Sequence, residues 1–587
     1  MPRFDLLLIK PTRYDDDGYP VQWRRSTIPS NSLASVAALA QDAYGRKVLG
    51  ADVDLVIEPI DETNAFVDPD AIIARSRRGD AKIMVMLVGV QSNQYPRAMD
   101  IARPLRAANI PVCIGGFHVS GCVSMLGESA KELDLARDLG VSLFAGEAEE
   151  GRLDEVIVDG YFDRLKPLYN HLADMPGLSG APAPILSKEV VARSMRNWSS
   201  FDLGRGCPFE CSFCTIINVQ GRKSRYRDVA DLERIIRQNH ANGVTRFFVT
   251  DDNLARNKNW EAYADKLIAM RREEGVELQL IIQVDTLAHR IPRFIDKIYE
   301  AGANIIFIGL ENINPDNLEA VKKRQNRIEE YREMFMAWKK HGVVLVCGYI
   351  VGFPNDTKDS ILRDVDYIKR ELPVDMLYLN FLTPLPGSED HRKMARAGRW
   401  MDPDFNKYDL NHAVVHHERM SDDDWREAYW EAHRRFYSFE HTRRVFDRMV
   451  QLGHRRPRLT LFNLLIYREG PRLERVAFSE FGIRRITRRT QRRHGLPLES
   501  PLVFYPRLWA KNVWKTACYV RTYAVLRAQL WRAEKLYRDR PTVIVDPAIL
   551  PAGAGRDTLV VETEARSTAA TRRRIEKRAE AAGALGN

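Results

Sequence analysis

Three cysteines within eight positions constrain this chain more than any other feature. Cys207, Cys211 and Cys214 stand in the run Gly204-Arg205-Gly206-Cys207-Pro208-Phe209-Glu210-Cys211-Ser212-Phe213-Cys214. Three thiolates are one short of a closed tetrahedral zinc site, and no histidine close in sequence supplies a fourth ligand. The set suits a four-iron cluster in which protein holds three irons and the fourth keeps an open coordination position. A partial zinc knuckle or buried structural thiols are the alternatives.

The cysteine loop follows Phe201–Leu203, the first of six apolar stretches spaced by helical segments. The others are Arg246–Thr250, Leu278–Val284, Asn304–Ile308, Val343–Ile350 and Met376–Phe381. Six such β/α units predict a partial barrel over 199–390. In that architecture reactive groups sit on loops leaving the carboxyl ends of strands, and the cysteine loop is placed accordingly.

Ahead of it, 1–165 also alternates. Apolar runs at Phe4–Ile9, Val53–Ile57, Ile83–Val90, Val112–Ile114 and Leu143–Ala145 read as buried parallel strands, with helical periodicity in Leu33–Ala43 and Ala98–Ala107. The expected fold is α/β with an open doubly wound first domain, whose ligands collect at strand carboxyl ends. The Pro- and Ala-rich stretch 166–198 reads as a linker. Residues 391–545 read as a mostly helical domain, and 546–587, rich in Ala, Arg and Glu, as a disordered tail.

The N-terminal Met1-Pro2-Arg3-Phe4-Asp5 lacks the order of a signal peptide. No stretch approaches the ~18 apolar residues of a membrane span. Seven cysteines, three of them clustered, fit a reducing compartment, so the expected location is cytoplasmic. The net charge of +10 is concentrated in the block Arg484, Arg485, Arg488, Arg489, Arg492 and Arg493. No nucleic-acid motif accompanies it, and nucleic acid is not an expected partner.

The spacing of Cys207, Cys211 and Cys214 resembles the radical S-adenosylmethionine (SAM) superfamily. The resemblance implies that these cysteines hold a [4Fe-4S] cluster whose open iron takes the amino and carboxylate groups of SAM. Further motifs follow in the superfamily's order. Thr250-Asp251-Asp252-Asn253 leaves the second strand, where Asp251, Asp252 and Asn253 would accept hydrogen bonds from the SAM ammonium. Helix capping is the alternative for Asp252 and Asn253. Glu311, in Gly309-Leu310-Glu311-Asn312, would line the SAM pocket. Gly348, Ile350 and Gly352, in Gly348-Tyr349-Ile350-Val351-Gly352-Phe353-Pro354, resemble an element that packs against adenine. Phe213 would shield the cluster or touch adenine. Gln283 and Asp285 are candidates for ribose or substrate contacts. Tyr349, Tyr378 and Asn380 would face the lumen or the helices.

An open parallel sheet ahead of such a barrel resembles the cobalamin-binding members of the superfamily. The matching pieces are Ser30, Asn31 and Ser32 opening the first helix, Gln91 and Ser92 after the third strand, Gly115, Gly116 and His118 after the fourth, and Gly146 and Glu147 after the fifth. The Asp-x-His-x-x-Gly element that supplies a lower cobalt ligand elsewhere is absent. His118 is then a loop or edge histidine near the corrin rather than an axial ligand.

The resemblance implies a cobalamin-dependent enzyme that methylates an unactivated carbon through a 5′-deoxyadenosyl radical and methylcobalamin. It also implies a reducing partner such as flavodoxin or ferredoxin. A non-methylating cyclisation, rearrangement or carbon–carbon coupling is the second reading, and a corrin or iron–sulfur redox sensor the third. Methylthiolation is disfavoured, because Cys113 and Cys122 cannot build a second three-thiolate cluster. In the C-terminal third, Phe504, Tyr505, Trp509, Trp514, Tyr519, Tyr523 and Trp531 interleave with Arg507, Lys511, Lys515, Arg521, Arg527 and Arg532. Such a helix suits peripheral membrane contact and a small-molecule or lipid-like substrate, or simply packs over the barrel with a charged outer face. Aromatics fall all round it, which favours the packed helix.

Overall fold

The computed structural model describes residues 2–195, 198–454, 456–537 and 546–549, together with Thr568. Most of the expected tail 546–587 lies outside the described residues.

In chain order the strands are β1 (Arg3–Lys10), β2 (Gln22–Ser26), β3 (Asp54–Asp61), β4 (Lys82–Leu87), β5 (Val112–Gly115), β6 (Ser142–Ala145), β7 (Leu168–Asn170), β8 (Trp198–Phe201), β9 (Gly204–Arg205), β10 (Arg225–Tyr226), β11 (Arg246–Val249), β12 (Gln279–Val284), β13 (Ala303–Glu311), β14 (Val344–Val351), β15 (Met376–Phe381) and β16 (Gly482–Ile486).

The first sheet is parallel throughout, in the order β3-β1-β4-β5-β6-β7. Strand β1 is apolar on both faces apart from the ion-paired Asp5. Phe4, Leu6 and Leu8 feed the core on one face while Leu7 and Ile9 feed the core on the other, as a strand covered on both sides requires. The edge strand β7 lies within the stretch read as a linker. It is three residues long and half polar, so no apolar pattern announces it.

The second sheet is also parallel, in the order β15-β14-β13-β12-β11-β8. Strands β8 and β15 do not pair with each other, and the partial barrel stays open between them. Strand β8 ends at Phe201, earlier than the sequence pattern places it. Leu203 has already left the ladder and donates its N–H to Asp251 Oδ1 at 2.6 Å.

Beyond the barrel, helices Asp422–Phe436, Phe439–Gln451, Pro457–Glu469 and Pro501–Tyr537 form the mostly helical remainder. It also returns one strand to the first domain, where β16 pairs antiparallel with β2. The arginine block beside β16 is largely engaged: Arg485 meets Asp15 at 2.9 Å and Arg493 meets Asp404 at 2.7 Å, while Arg488 lies over the Phe66 ring.

The end of β14 is held by close packing. Gly352 has φ +103°, and a Cβ there would stand 2.2 Å from the Trp425 ring. Asp356 secures the same turn by accepting the N–H groups of Gly352 and Phe353, both at 2.9 Å. Gly352→Ala should therefore cost about 3 kcal/mol, from overpacking and a left-handed backbone together. A lowered thermal midpoint of the protein without SAM would register it; an unchanged midpoint would mean that Trp425 yields freely.

Candidate functional site

The cysteine loop begins where β8 ends and is fixed by its backbone. Cys207 N–H donates to Gly221 O at 3.2 Å, and Cys214 N–H to Cys211 O at 3.1 Å. Ser212 is clamped from two sides, by Val321 O on its N–H and by Asp390 on its hydroxyl. Burial pushes the Cys207 thiol up to about 11 and the Cys214 thiol up to about 12. Such thiols ionise only against a strong positive charge, which bound iron supplies. Among the described residues no three His, Cys, Asp or Glu side chains close on a single ion. The three thiols of the loop are a donor set that fits a four-iron cluster with one iron left open.

Two side chains without a sequence signal join the thiols. Gln325 Nε2 lies 3.4 Å from Cys211 Sγ. Lys323 Nζ pairs with Glu311 Oε1 at 2.7 Å and sits 5.8 Å from the centre of the Phe213 ring. Burial works against the Lys323 ammonium, but Glu311 and the nearby Cys211 raise its pKa above the ordinary lysine value. Glu311 reaches this pair from a left-handed backbone at φ +61°, where the β13–β14 register slips. Gly348 and Ile350 share the face of β14 that Tyr378 and Asn380 continue on β15. Ile350 packs with Val321 and Phe353, and Phe213 lies against that cluster. Tyr349 points the other way, its hydroxyl 3.1 Å from Asp364 in the helix outside.

The acidic run after β11 divides. Asp252 lines the central cavity and accepts the Gly206 N–H at 3.0 Å. Asp251 turns behind the strand, accepting from Leu203 N–H and from Asn257 Nδ2 at 3.1 Å. Burial raises both carboxyls to about 7. Asp251 is thus an anchor for the exit of β8 rather than a ligand group. Asn253 and Asp285 are spent on each other at 2.8 Å, and Arg256 grips Asp285 at 2.5 and 2.8 Å. Gln283 Nε2 donates to Asp251 O at 3.3 Å.

In the first domain the loops after β4, β5 and β6 and the start of helix Asn31–Gly45 surround a cavity of about 190 Å³ lined by Asn31, Ser32, Gly115, Gly116, Gly146 and Glu147. Gly116 (φ +142°) lets the β5 loop press on the β4 loop, since a Cβ there would lie 2.2 Å from Val90 N. A second cavity of about 350 Å³ opens beside it. Ser30, Asn31, Ser32 and Gln91 line it from the first domain, and Ser200, Thr250 and Asp252 from the barrel. The carboxyl ends of the two parallel sheets therefore face one chamber.

His118 and Ser92 do not reach either cavity. The turn at Gly116 starts helix Phe117–Leu126 and carries His118 to its rear, between the rings of Tyr95 (4.2 Å) and Phe405 (4.8 Å). Its Nδ1 lies 3.1 Å from Ser92 Oγ, and burial lowers its pKa to about 3. It is a neutral core histidine that lines neither cavity. Glu147 also departs from its expected part, because its carboxylate is taken by arginines of the barrel.

Those arginines form the junction. Arg205, two residues before Cys207, meets Glu147 at 2.7 Å, Glu149 at 2.7 Å and Asp202 at 3.0 Å. Arg225 also bonds Glu147 at 2.9 Å, and Arg227 Nε donates to Asp202 O at 3.0 Å. Burial opposes the Asp202 charge, yet Arg205 and Arg227 hold its pKa well below the usual carboxylate range. The buried network fastens the cysteine loop to the β6 end of the first domain. Only the proximity of Arg205 to the cysteines could have marked it in sequence.

Residues 202–368 match the model of the Radical SAM superfamily. The barrel is a radical SAM domain. The chain is 26% identical over 352 residues to bacteriochlorophyllide d C-8(2)-methyltransferase of Chlorobaculum tepidum, an alignment covering 57% of this chain and 73% of that protein. It is 24% identical over 344 residues to hopanoid C-2 methylase of Rhodopseudomonas palustris, covering 55% and 59% respectively. Its fold is that of the cobalamin-dependent SAM radical enzyme OxsB, whose structure holds aqua-cobalamin: TM-score 0.53 at 12% identity, over 96% of this chain and 83% of OxsB. The likeness to OxsB takes in both parallel sheets and the region after the radical SAM domain.

Proposed function

We propose that the protein is a cobalamin-dependent radical SAM methyltransferase that methylates an unactivated carbon of a small-molecule or lipid-like substrate. The observation that carries this reading is the shared chamber, where the strand ends of an open parallel sheet face those of the radical SAM domain. The curated relatives, named for methylation of bacteriochlorophyllide d and hopanoid, support both the chemistry and the substrate class. When bound, cluster and SAM supply a 5′-deoxyadenosyl radical, and methylcobalamin supplies the methyl group.

The chain's own residues would act by holding and orienting. Cys207, Cys211 and Cys214 hold the cluster. Asp252, at the chamber wall, accepts from the SAM ammonium. Ile350, Phe353 and Phe213 give an apolar wall for adenine, and Glu311, held by Lys323, faces the same space. Asn31, Ser32, Gly115, Gly116 and Gly146 form the cradle for cobalamin. A one-electron donor such as flavodoxin or ferredoxin serves the cluster from a cytoplasmic setting with peripheral membrane contact.

Protein reconstituted anaerobically with iron, sulfide and cobalamin should retain corrin through gel filtration. With reductant and SAM it should form both 5′-deoxyadenosine and S-adenosylhomocysteine. Deoxyadenosine without retained corrin would move the protein to the non-methylating radical enzymes, and neither product would overturn the reading altogether.

A further inference from the structure

Helix Pro501–Tyr537 is 37 residues long, about 55 Å at 1.5 Å per residue. One line of it is buried: Phe504, Lys515, Thr522, Leu526, Leu530 and Ala533. Polar contacts pin that line to the segment below. Lys515 pairs with Glu474 at 2.6 Å, and Thr522 Oγ1 donates to Glu469 at 2.7 Å.

The opposite line is apolar and bare. Leu502 is 86% exposed, Trp509 70%, Val513 50%, Val520 62% and Trp531 56%. At 100° per residue these five fall within an arc of about 40°, which Arg527 shares between Val520 and Trp531. Tyr523 and Trp514 stand exposed on its two sides. The sequence pattern of aromatics all round the helix thus resolves into two faces, one packed and one open. An exposed, largely apolar face of this kind marks an interaction surface.

Charge identifies the partner. The helix carries seven Lys and Arg residues against a single acid, Glu534. Arg507, Lys511 and Arg532 lean back onto Glu499, Asp17 and Asp447, whereas Arg521 and Lys535 are exposed beside the apolar stripe and Arg527 within it. Among the described residues no helix is long and apolar enough to cross a membrane. Tryptophan and tyrosine prefer the headgroup level, and cations beside them favour anionic lipid. A two-fold contact between copies through this face would set the same cations against one another.

We infer that the outer face of helix Pro501–Tyr537 lies in the interface of an anionic membrane, with Trp509 and Trp531 buried among the headgroups and Arg521 and Arg527 over the phosphates. The segment Glu469–Glu474 beneath the helix leads on to Ser479 and Glu480, which line the chamber. A chain docked this way holds its chamber close to the lipid. The docking surface stands on the helix alone, so it can fail or hold independently of the proposed catalysis.

The test is flotation of the full chain with phosphatidylcholine vesicles, with and without phosphatidylglycerol. The wild type should float with the anionic vesicles, with a blue shift of tryptophan emission, and only weakly with neutral ones. W509S/W531S and R521E/R527E should each partition about tenfold less or weaker, at unchanged thermal midpoint because all four side chains are exposed. Wild-type protein that stays in the bottom fraction with anionic vesicles would overturn the inference. So would variants that float as well as wild type, or a concentration-dependent dimer abolished by W509S/W531S.

Discussion

An Arg205→Met variant is expected to lose about 3–5 kcal/mol of stability, the cost of removing one partner from a buried charge cluster. It should also lose most of its cluster and, with it, at least about tenfold of its 5′-deoxyadenosine formation. Methionine fills the guanidinium's path without replacing its charge. Glu147, Glu149 and Asp202 would then share only Arg225 and Arg227, and a net negative charge would be left where it cannot be hydrated. The damage reaches the cysteines because Gly206 follows directly and its N–H is fixed by Asp252. Once Arg205 lets go, the ties of this segment to the first domain that remain include Arg225 on Glu147 and Asn31 on Asp202. Arg205→Lys should fall between, since one ammonium cannot reproduce the fork of three bonds. Iron content after anaerobic reconstitution, read with the thermal midpoint, separates the outcomes. Wild-type iron loading at an unchanged midpoint in Arg205→Met would show the network to be incidental.

The difficulty of finding Arg205 in sequence illustrates what local pattern can and cannot carry. The long parallel strands were legible because burial on both faces leaves a long apolar run, as in β14 and, past Asp5, in β1. The cysteine loop was legible because three thiols at fixed spacing are chemistry rather than packing. Strands β7 and β16 were not, β7 being three residues long and β16 pairing with β2 at the other end of the chain. The site residues divided at finer scale. Asp251 and Asp252 are neighbours of one residue type, yet the chain turns one behind the strand and the other into the chamber. His118 follows two glycines that do line the cavity, and one turn of helix takes it to the far side. Tyr349 and Tyr378 differ because alternation assigns opposite faces only once the register is fixed, and register is a tertiary fact. Arg205 and Lys323 needed partners 58 and 12 residues away before their burial made sense.

Lys323 carries the second large effect. Lys323→Met should destabilise the protein by about 3 kcal/mol and weaken SAM binding in the reconstituted enzyme by about tenfold or more. The lysine is the ion-pair partner of Glu311, and both side chains are nearly closed off from solvent, at 11% and 13% exposure. Glu311 sits on a left-handed backbone two residues after Gly309, where a Cβ would touch both members of the pair. A carboxylate stranded there must take up a proton or swing into the space assigned to SAM. The double variant Lys323→Met/Glu311→Gln distinguishes a structural pair from a functional one. Removing both charges should restore much of the thermal midpoint, since the unpaired carboxylate is what costs stability. It should not restore SAM binding if Glu311 faces the ligand as proposed. Recovery of both together would make the pair a packing device. Recovery of the midpoint alone would place Glu311 at the SAM pocket and Lys323 behind it as the group that holds it in position.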